Sequence, residues 1–363
     1  MARTGTTPLK AEPKIAIVDD ARFDQHHSVR YHPERPERLE AARAGLARSL
    51  PPERRLAIAA RPVRPEEVGR VHPNRYLDAL ERALARGAGQ LDPDTYFGPG
   101  TREAAWMAAG GAADMAMALM EDRAKRGVAL LRPPGHHARP ATAMGFCLLN
   151  NVAIAATAAL ERGAERVAIV DWDVHHGNGT QERFYGDPRV LFISLHQWPF
   201  FPGTGTANEV GSGEGRGRNV NVALPSGSGP EIFGEAFRRL VRPLLDTFDA
   251  QLTLVSAGFD AHARDPLAGM ELDAGSYAAM GSALVEQAEQ AGHGRVGLVL
   301  EGGYDLRALE ESTAAATRAL LGERTPLPEG RPKEAERRAL DETIAQTRPH
   351  WSGRGAPDPF GPA

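Results

Sequence analysis

Residues 167–176 read VAIVDWDVHH, an apolar run that gives way abruptly to two aspartates and two histidines. A short, wholly apolar, β-branched run of this kind is a strand buried on both faces, and the polar groups that follow are delivered to the edge of its sheet. Working outward, runs of the same type recur as KIAIVDD (14–20), VALLR (128–132), VLFISLH (190–196), LTLVSAGFD (252–260) and VGLVLEGGY (296–304). Amphipathic or Ala-rich stretches separate them, at 101–122, 148–162, 231–247 and 274–291, several opened by Thr, Asn, Pro or Asp suited to a helix N-terminus. Alternating β and α predicts an open α/β sheet, mostly parallel, with helices on both faces. No Pro- or Ser-rich linker and no fixed-period repeat divides the alternation, so one domain is expected over 13–347, with flexible tails at 1–12 and 348–363. The Gly-, Pro- and Ser-rich stretch 197–230 reads as a surface loop or insert, except that WPFFP, directly after a strand end, looks like the wall of a pocket.

Composition narrows the function. Of 363 residues, 42% are hydrophobic and 25% charged, which fits a soluble protein with a large core. A net charge of -4 gives no broad electropositive field, so direct nucleic-acid binding is not expected. No apolar stretch reaches the roughly 20 residues that cross a bilayer, and MARTGTTPLKAEP lacks the apolar segment of a signal peptide; a cytoplasmic protein without membrane contact is the expectation. The single cysteine, Cys147, excludes an intrachain disulfide and a Cys-rich zinc site, leaving His and carboxylates to hold any metal.

Ligands of open parallel sheets bind beyond the carboxyl ends of the strands. At those ends stand His136 and His137, then Asp171, Asp173, His175 and His176, then His196, Asp260 and Tyr304. A lone Asp after a strand is more often a turn former or helix cap, adjacent histidines can be a solvated turn, and a strand-end Tyr can be ordinary core. Gathering all of them without a cation would cost several kcal/mol in desolvation and repulsion. Asp173 and His175 lie two apart in extended chain, so both face one ion, and Asp260 adds a third ligand from a neighbouring strand. Three protein ligands leave a coordination position open, which marks a catalytic site. The mixed N/O set suits Zn²⁺ and would also accept Fe²⁺, Co²⁺ or Mn²⁺.

The motifs RPPGHHA, GFCLLNNVAIAA, DWDVHHGNGTQ, SLHQ, FFPGTG, SAGFDAH, DPLAGM and LEGGYD, in this order, resemble the histone deacetylase family, within it the class II enzymes and bacterial deacetylase-like amidohydrolases. The similarity runs from about residue 24, with HPERPERL, to about residue 320. It implies a single arginase-like α/β domain with a sheet of about eight strands. It also implies that Asp173, His175 and Asp260 hold one zinc ion. His137 would carry the proton, His136 act electrostatically, Asp171 orient His136, and Tyr304 donate a hydrogen bond to the oxyanion. Phe146 and Phe201 match the rings that enclose an acyl-lysine stem, and Gly145 the carbonyl that accepts from its amide. Leu267 falls where protein deacylases of class II have Leu and polyamine-selective members have Glu. Asn178, where class I enzymes have an Asp, should raise the pKa of His137 less than a carboxylate would. Arg38 matches an internal-channel arginine and Asp94 a rim aspartate that holds substrate backbone. Carbonyls around Asp171, Asp173, His175, Ser194 and Leu195 correspond to a structural potassium site.

The expected activity is therefore zinc-dependent hydrolysis of N-acetyl-lysine or a related acylated amine. The rivals are an acetylpolyamine amidohydrolase, a non-catalytic acyl-lysine binding module, which would need a damaged site, and an arginase-like binuclear manganese ureohydrolase. The last would need further bridging carboxylates where His and Asn stand. No motif speaks to oligomeric state.

Overall fold

Each of the six apolar runs contains or overlaps a strand of the computed structural model, which describes residues 14–28, 30–351 and 358–360. The strands are β1 (Ile15–Val18), β2 (Arg55–Ala57), β3 (Gly89–Gln90), β4 (Tyr96–Phe97), β5 (Arg126–Ala129), β6 (Val167–Asp171), β7 (Val190–Gln197), β8 (Asn219–Leu224), β9 (Leu252–Ala257) and β10 (Val296–Leu300). Apart from the antiparallel pair β3 and β4, they form one eight-stranded parallel sheet in the order β2-β1-β5-β10-β9-β6-β7-β8. Its inner strands are buried along their whole length, which is why they read as unbroken Val, Ile and Leu rather than as an alternation. The four central strands, β5, β10, β9 and β6, are neighbours in the sheet although far apart in sequence. Their carboxyl ends bring PPGHH, EGGY, GFD and DWDVH to one edge.

Helices flank the sheet. The helix Thr101–Met120, almost all Ala, Gly and Met on its buried positions, packs on the helix Asn151–Glu161. Small residues let the chain approach closely: a Cβ at Gly110 would sit 2.0 Å from the carbonyl oxygen of Arg61. The helices Glu37–Ser49 and Ala274–Gln290 both pack on the helix Leu306–Leu320, whose N-cap Asp305 accepts from the Ala308 N–H at 2.7 Å. One continuous apolar core extends from Ile15 to Trp351. Among the described residues no helix is long and apolar enough to cross a membrane.

Two expectations need correction. The stretch 197–230 is not all loop: it contains β8, paired in parallel with β7 from Phe192–Asn219 to Gln197–Leu224. The strand hides in the sequence because NVNVAL alternates polar and apolar residues, with Asn219 and Asn221 buried on hydrogen bonds to Gln181. Of the expected C-terminal tail, 348–363, residues 352–357 and 361–363 lie outside the described residues, while its first four residues are folded. Arg348–His350 form a 3-10 turn and Trp351, 4% exposed, donates its indole N–H to the Gly217 carbonyl at 2.7 Å while the Arg218 guanidinium lies 4.1 Å from its ring centre. The expected N-terminal tail, 1–12, lies outside the described residues.

Trp351→Ala should lower the free energy of unfolding by about 3–5 kcal/mol, the usual cost of emptying a buried aromatic site. Denaturant titration reads this directly, and an unchanged midpoint would show that the segment is not part of the core.

Candidate active site and metal centre

The end of β6 is built so that its polar groups satisfy one another in steps. Asp171, the last residue of the strand, stands opposite Ser194 of β7 and Ser256 of β9. Its Oδ1 accepts from the Asp173 N–H at 3.1 Å, Asp173 Oδ1 accepts from the His175 N–H at 2.9 Å, and Asp260 Oδ1, from beyond β9, accepts from the Val174 N–H at 2.9 Å. Asp173 Oδ2 takes the Gly302 N–H, from beyond β10, at 2.8 Å. Each carboxylate is thus fixed by backbone donors, leaving Asp173 and Asp260 to meet His175 and Asp171 to meet His136. The His175 Nδ1 lies 3.1 Å from Asp173 Oδ1 and 3.2 Å from Asp260 Oδ2.

One atom each from Asp173, His175 and Asp260 fit within 4.8 Å of one another. Two further observations fit a cation at this point. Asp260 Oδ2 is buried with no hydrogen-bond partner, facing only the imidazole. A Cβ at Gly302 would fall 2.1 Å from Asp260 Oδ2 and 2.6 Å from Asp173 Oδ2, so glycine there keeps space beside both carboxylates. Burial works against charge on all three, but the carboxylates of Asp173 and Asp260 beside it hold the His175 imidazole up at about 10. Burial and the charge of Asp173 push the Asp260 carboxyl up.

The tandem histidines pack ring to ring with centroids 4.0 Å apart and different partners. The His136 Nδ1–H donates to Asp171 Oδ2 at 3.0 Å; the His137 Nδ1–H donates to Asn178 Oδ1 at 2.9 Å. That second bond leaves His137 Nε2 as an acceptor. Burial depresses both rings, but the Asp173 and Asp171 charges lift His136 well above the usual imidazole range. His137 lacks such support; burial and the charges of His136 and His175 hold it well below. Two adjacent imidazoles are thus pushed in opposite directions by what surrounds them. Their loop hangs on Glu301, whose Oε2 accepts from the Gly135 and His136 N–H groups at 2.6 and 3.1 Å.

A cavity of about 250 Å³ opens above these groups, with Phe146, Phe200, Phe201, Leu267, Tyr304 and Asp94 among its lining residues. Phe146 takes a left-handed backbone at φ 69°, its N–H donating to Thr95 Oγ1 at 3.0 Å and its ring meeting His32 edge-on at 4.6 Å. The preceding Gly145 also has positive φ, and a Cβ there would meet the His137 ring at 2.5 Å. Phe201, 38% exposed, meets His137 edge-on at 5.1 Å, and Phe200 stacks on His175 at 5.2 Å. The Tyr304 ring meets Phe146 edge-on at 5.9 Å and carries the Arg38 guanidinium 4.9 Å from its centre. Arg38 is itself buried, donating to the carbonyls of Gly303 at 2.6 Å and of Glu301.

Every residue singled out in the sequence around the strand ends is therefore placed, but not all at one point. His136, His137, His175, Gly145, Phe146, Phe201, Leu267, Tyr304 and Asp94 line one cavity, and Asp171, Asp173, Asn178 and Asp260 hold its histidines. His176 and His196 belong elsewhere, bonded to Thr204 and Gln181 and to Ser194 and the Gly205 carbonyl. Phe200 lies in WPFFP, which the sequence marks as a pocket wall; Glu301 and Asp265 are not singled out there. The last is buried, accepting from the N–H groups of Leu267, Tyr304 and Asp305 at 3.0, 2.6 and 3.3 Å. Phe200 and Glu301 were visible as neighbours of named residues; Asp265 gave no signal beyond its place in DPLAGM.

Comparison with known proteins agrees with this geometry. The histone deacetylase domain family matches residues 32–320. Histone deacetylase 15 of Arabidopsis thaliana is 44% identical over 80% of the chain and 53% of its own length, so the chain spans about half of that relative. A probable deacetylase of Archaeoglobus fulgidus is 40% identical over 80% of the chain and 81% of its own length. The crystal structure of the HDA15 HD domain superposes with a TM-score of 0.88 at 39% identity, covering 94% of this chain and 96% of that one.

Gly302→Ala places a methyl group against both carboxylates, so the purified variant should hold less than about a tenth of the divalent metal of the parent while keeping its far-UV circular dichroism. Elemental analysis of the two proteins side by side decides it; equal metal content would move the ion elsewhere.

Proposed function

The chain belongs to the histone deacetylase family, and from that premise we propose that it is a zinc-dependent deacylase hydrolysing the amide of N-acetyl-lysine or a closely related acylated amine. The observation that carries the reading is the pairing of two adjacent imidazoles, one bonded to the Asp171 carboxylate and one to the Asn178 amide, beside the Asp173, His175 and Asp260 triad, at the floor of an aromatic cavity. Those three residues would hold the ion, which when bound supplies Lewis acidity toward the amide carbonyl and acidifies a water. His137, neutral and with Nε2 free, takes the proton of the attacking water and returns it to the departing amine nitrogen. His136, kept protonated by Asp171, adds positive charge beside the developing oxyanion. Burial pushes the Tyr304 phenol up, so it stays protonated and donates a hydrogen bond to the same oxygen. The rings of Phe146, Phe200 and Phe201 exclude water from the methylene chain of the substrate.

Leu267 rather than a carboxylate in the lining favours a neutral acyl-lysine stem over a polyamine. Asp94 in the same lining can accept from substrate backbone N–H groups. The family resemblance further implies a structural potassium at the carbonyls of Asp171, Asp173, His175, Ser194 and Leu195, and we propose that site on that ground alone.

In a turnover panel, acetyl-lysine peptides should exceed acetylspermidine and acetylputrescine in kcat/KM by more than about tenfold, with zinc as the ion giving activity; the reverse order would reassign the substrate, and turnover that survives complete chelation would overturn the reading. Tyr304→Phe should lower kcat by about 10²- to 10³-fold with KM nearly unchanged. A variant as fast as the parent would remove Tyr304 from the chemistry.

A further inference from the structure

Two segments meet at Asp265 without sharing an element. The loop after β9, residues 258–272, carries Leu267 into the cavity, and the irregular segment 301–305 after β10 carries Tyr304. Asp265 Oδ1 accepts from the Leu267 N–H at 3.0 Å, and its Oδ2 from the Tyr304 N–H at 2.6 Å and the Asp305 N–H at 3.3 Å. The carboxylate is 6% exposed, so these bonds are not in exchange with bulk water. Arg264 ties the same loop to Asp305 at 3.5 Å and to Glu311 at 2.6 Å, which roots the junction in the helix Leu306–Leu320. The Tyr304 segment needs such a tether, because Gly302 and Gly303 precede the tyrosine and Gly303 has φ 121°.

We propose that Asp265 is a positioning residue that locks the catalytic phenol of Tyr304 to the substrate wall at Leu267, so that acyl-chain fit and oxyanion stabilisation are set together. This rests on the deacylase reading for its consequence but not for its geometry. An aspartate is suited to the task because both oxygens only accept. An asparagine of the same shape must turn its NH₂ toward one of the two segments, where it faces an N–H and releases that arm.

The test combines an exchange measurement with a kinetic cycle on the full chain. In Asp265→Asn, hydrogen exchange should quicken by about tenfold or more in peptides covering 266–268 or 303–306, with distant peptides unchanged. With an acetyl-lysine peptide, Asp265→Asn should lower kcat by about 10- to 100-fold in the parent but by less than about threefold in the Tyr304→Phe background, because the phenol it positions is already gone. Equal losses in both backgrounds, or exchange unchanged at both segments, would overturn the proposal. If Asp265→Asn does not fold, the parent alone decides: the Leu267 and Tyr304 amides must be protected together by at least about 10²-fold, and free exchange at either refutes the lock. A parent that shows the exchange pattern but turns over no acylated amine would retain the lock and sink the deacylase reading.

Discussion

Negative charge buried without water is the constraint around which the molecule is arranged. Asp171, Asp173 and Asp260 are essentially inaccessible at the ends of adjacent strands. Carboxylates so placed are tolerated only when donors and cations surround them. Backbone N–H groups of residues 173, 174, 175 and 302 supply part of the compensation, and the imidazoles supply more. The oxygen left over on Asp260 and the space kept by Gly302 leave room where a cation could complete the balance. A second buried carboxylate, Glu34, solves the same problem differently, with Arg38 and Arg132 at 3.0 and 2.5 Å, and needs no ion. Burial pushes that carboxyl up, but the Arg132 guanidinium and the His26 imidazole beside it hold it well below its usual range.

The same field differentiates two residues of identical chemistry. His136 faces carboxylates and His137 faces an amide, so adjacent rings acquire opposite electrostatic surroundings without any difference in side chain. The distinction comes from what lies behind each ring: Asp171 at the end of a strand, and Asn178 in the first turn of the helix Asn178–Phe184. The fold thus writes the roles, and the ring sequence HH is silent about them.

How much of this is legible beforehand follows from locality. Central strands announce themselves because full burial forces unbroken apolar runs, and the groups just past their ends are found by position alone; that is how Asp173, His175, Asp260 and the two histidines could be named. The edge strand β8 escaped because two of its six residues, Asn219 and Asn221, are polar and satisfied by a partner distant in sequence, Gln181. Trp351 escaped because its anchors, Gly217 and Arg218, lie far along the chain. Asp265 and Glu301 escaped for a related reason: each works by accepting from backbone N–H groups, which every residue has, so no side-chain pattern marks the bond.

The two aromatic walls of the cavity are held unequally. Phe146 is clamped from behind by Thr95 and His32, in a backbone conformation that most residues resist, whereas Phe201 stands on an irregular stretch with more than a third of its surface in solvent. The cavity therefore has one wall braced from behind and one that borders solvent. Substitutions that widen or narrow the bore are tolerated more easily on the open side, where they leave the braced wall and the groups beneath it untouched.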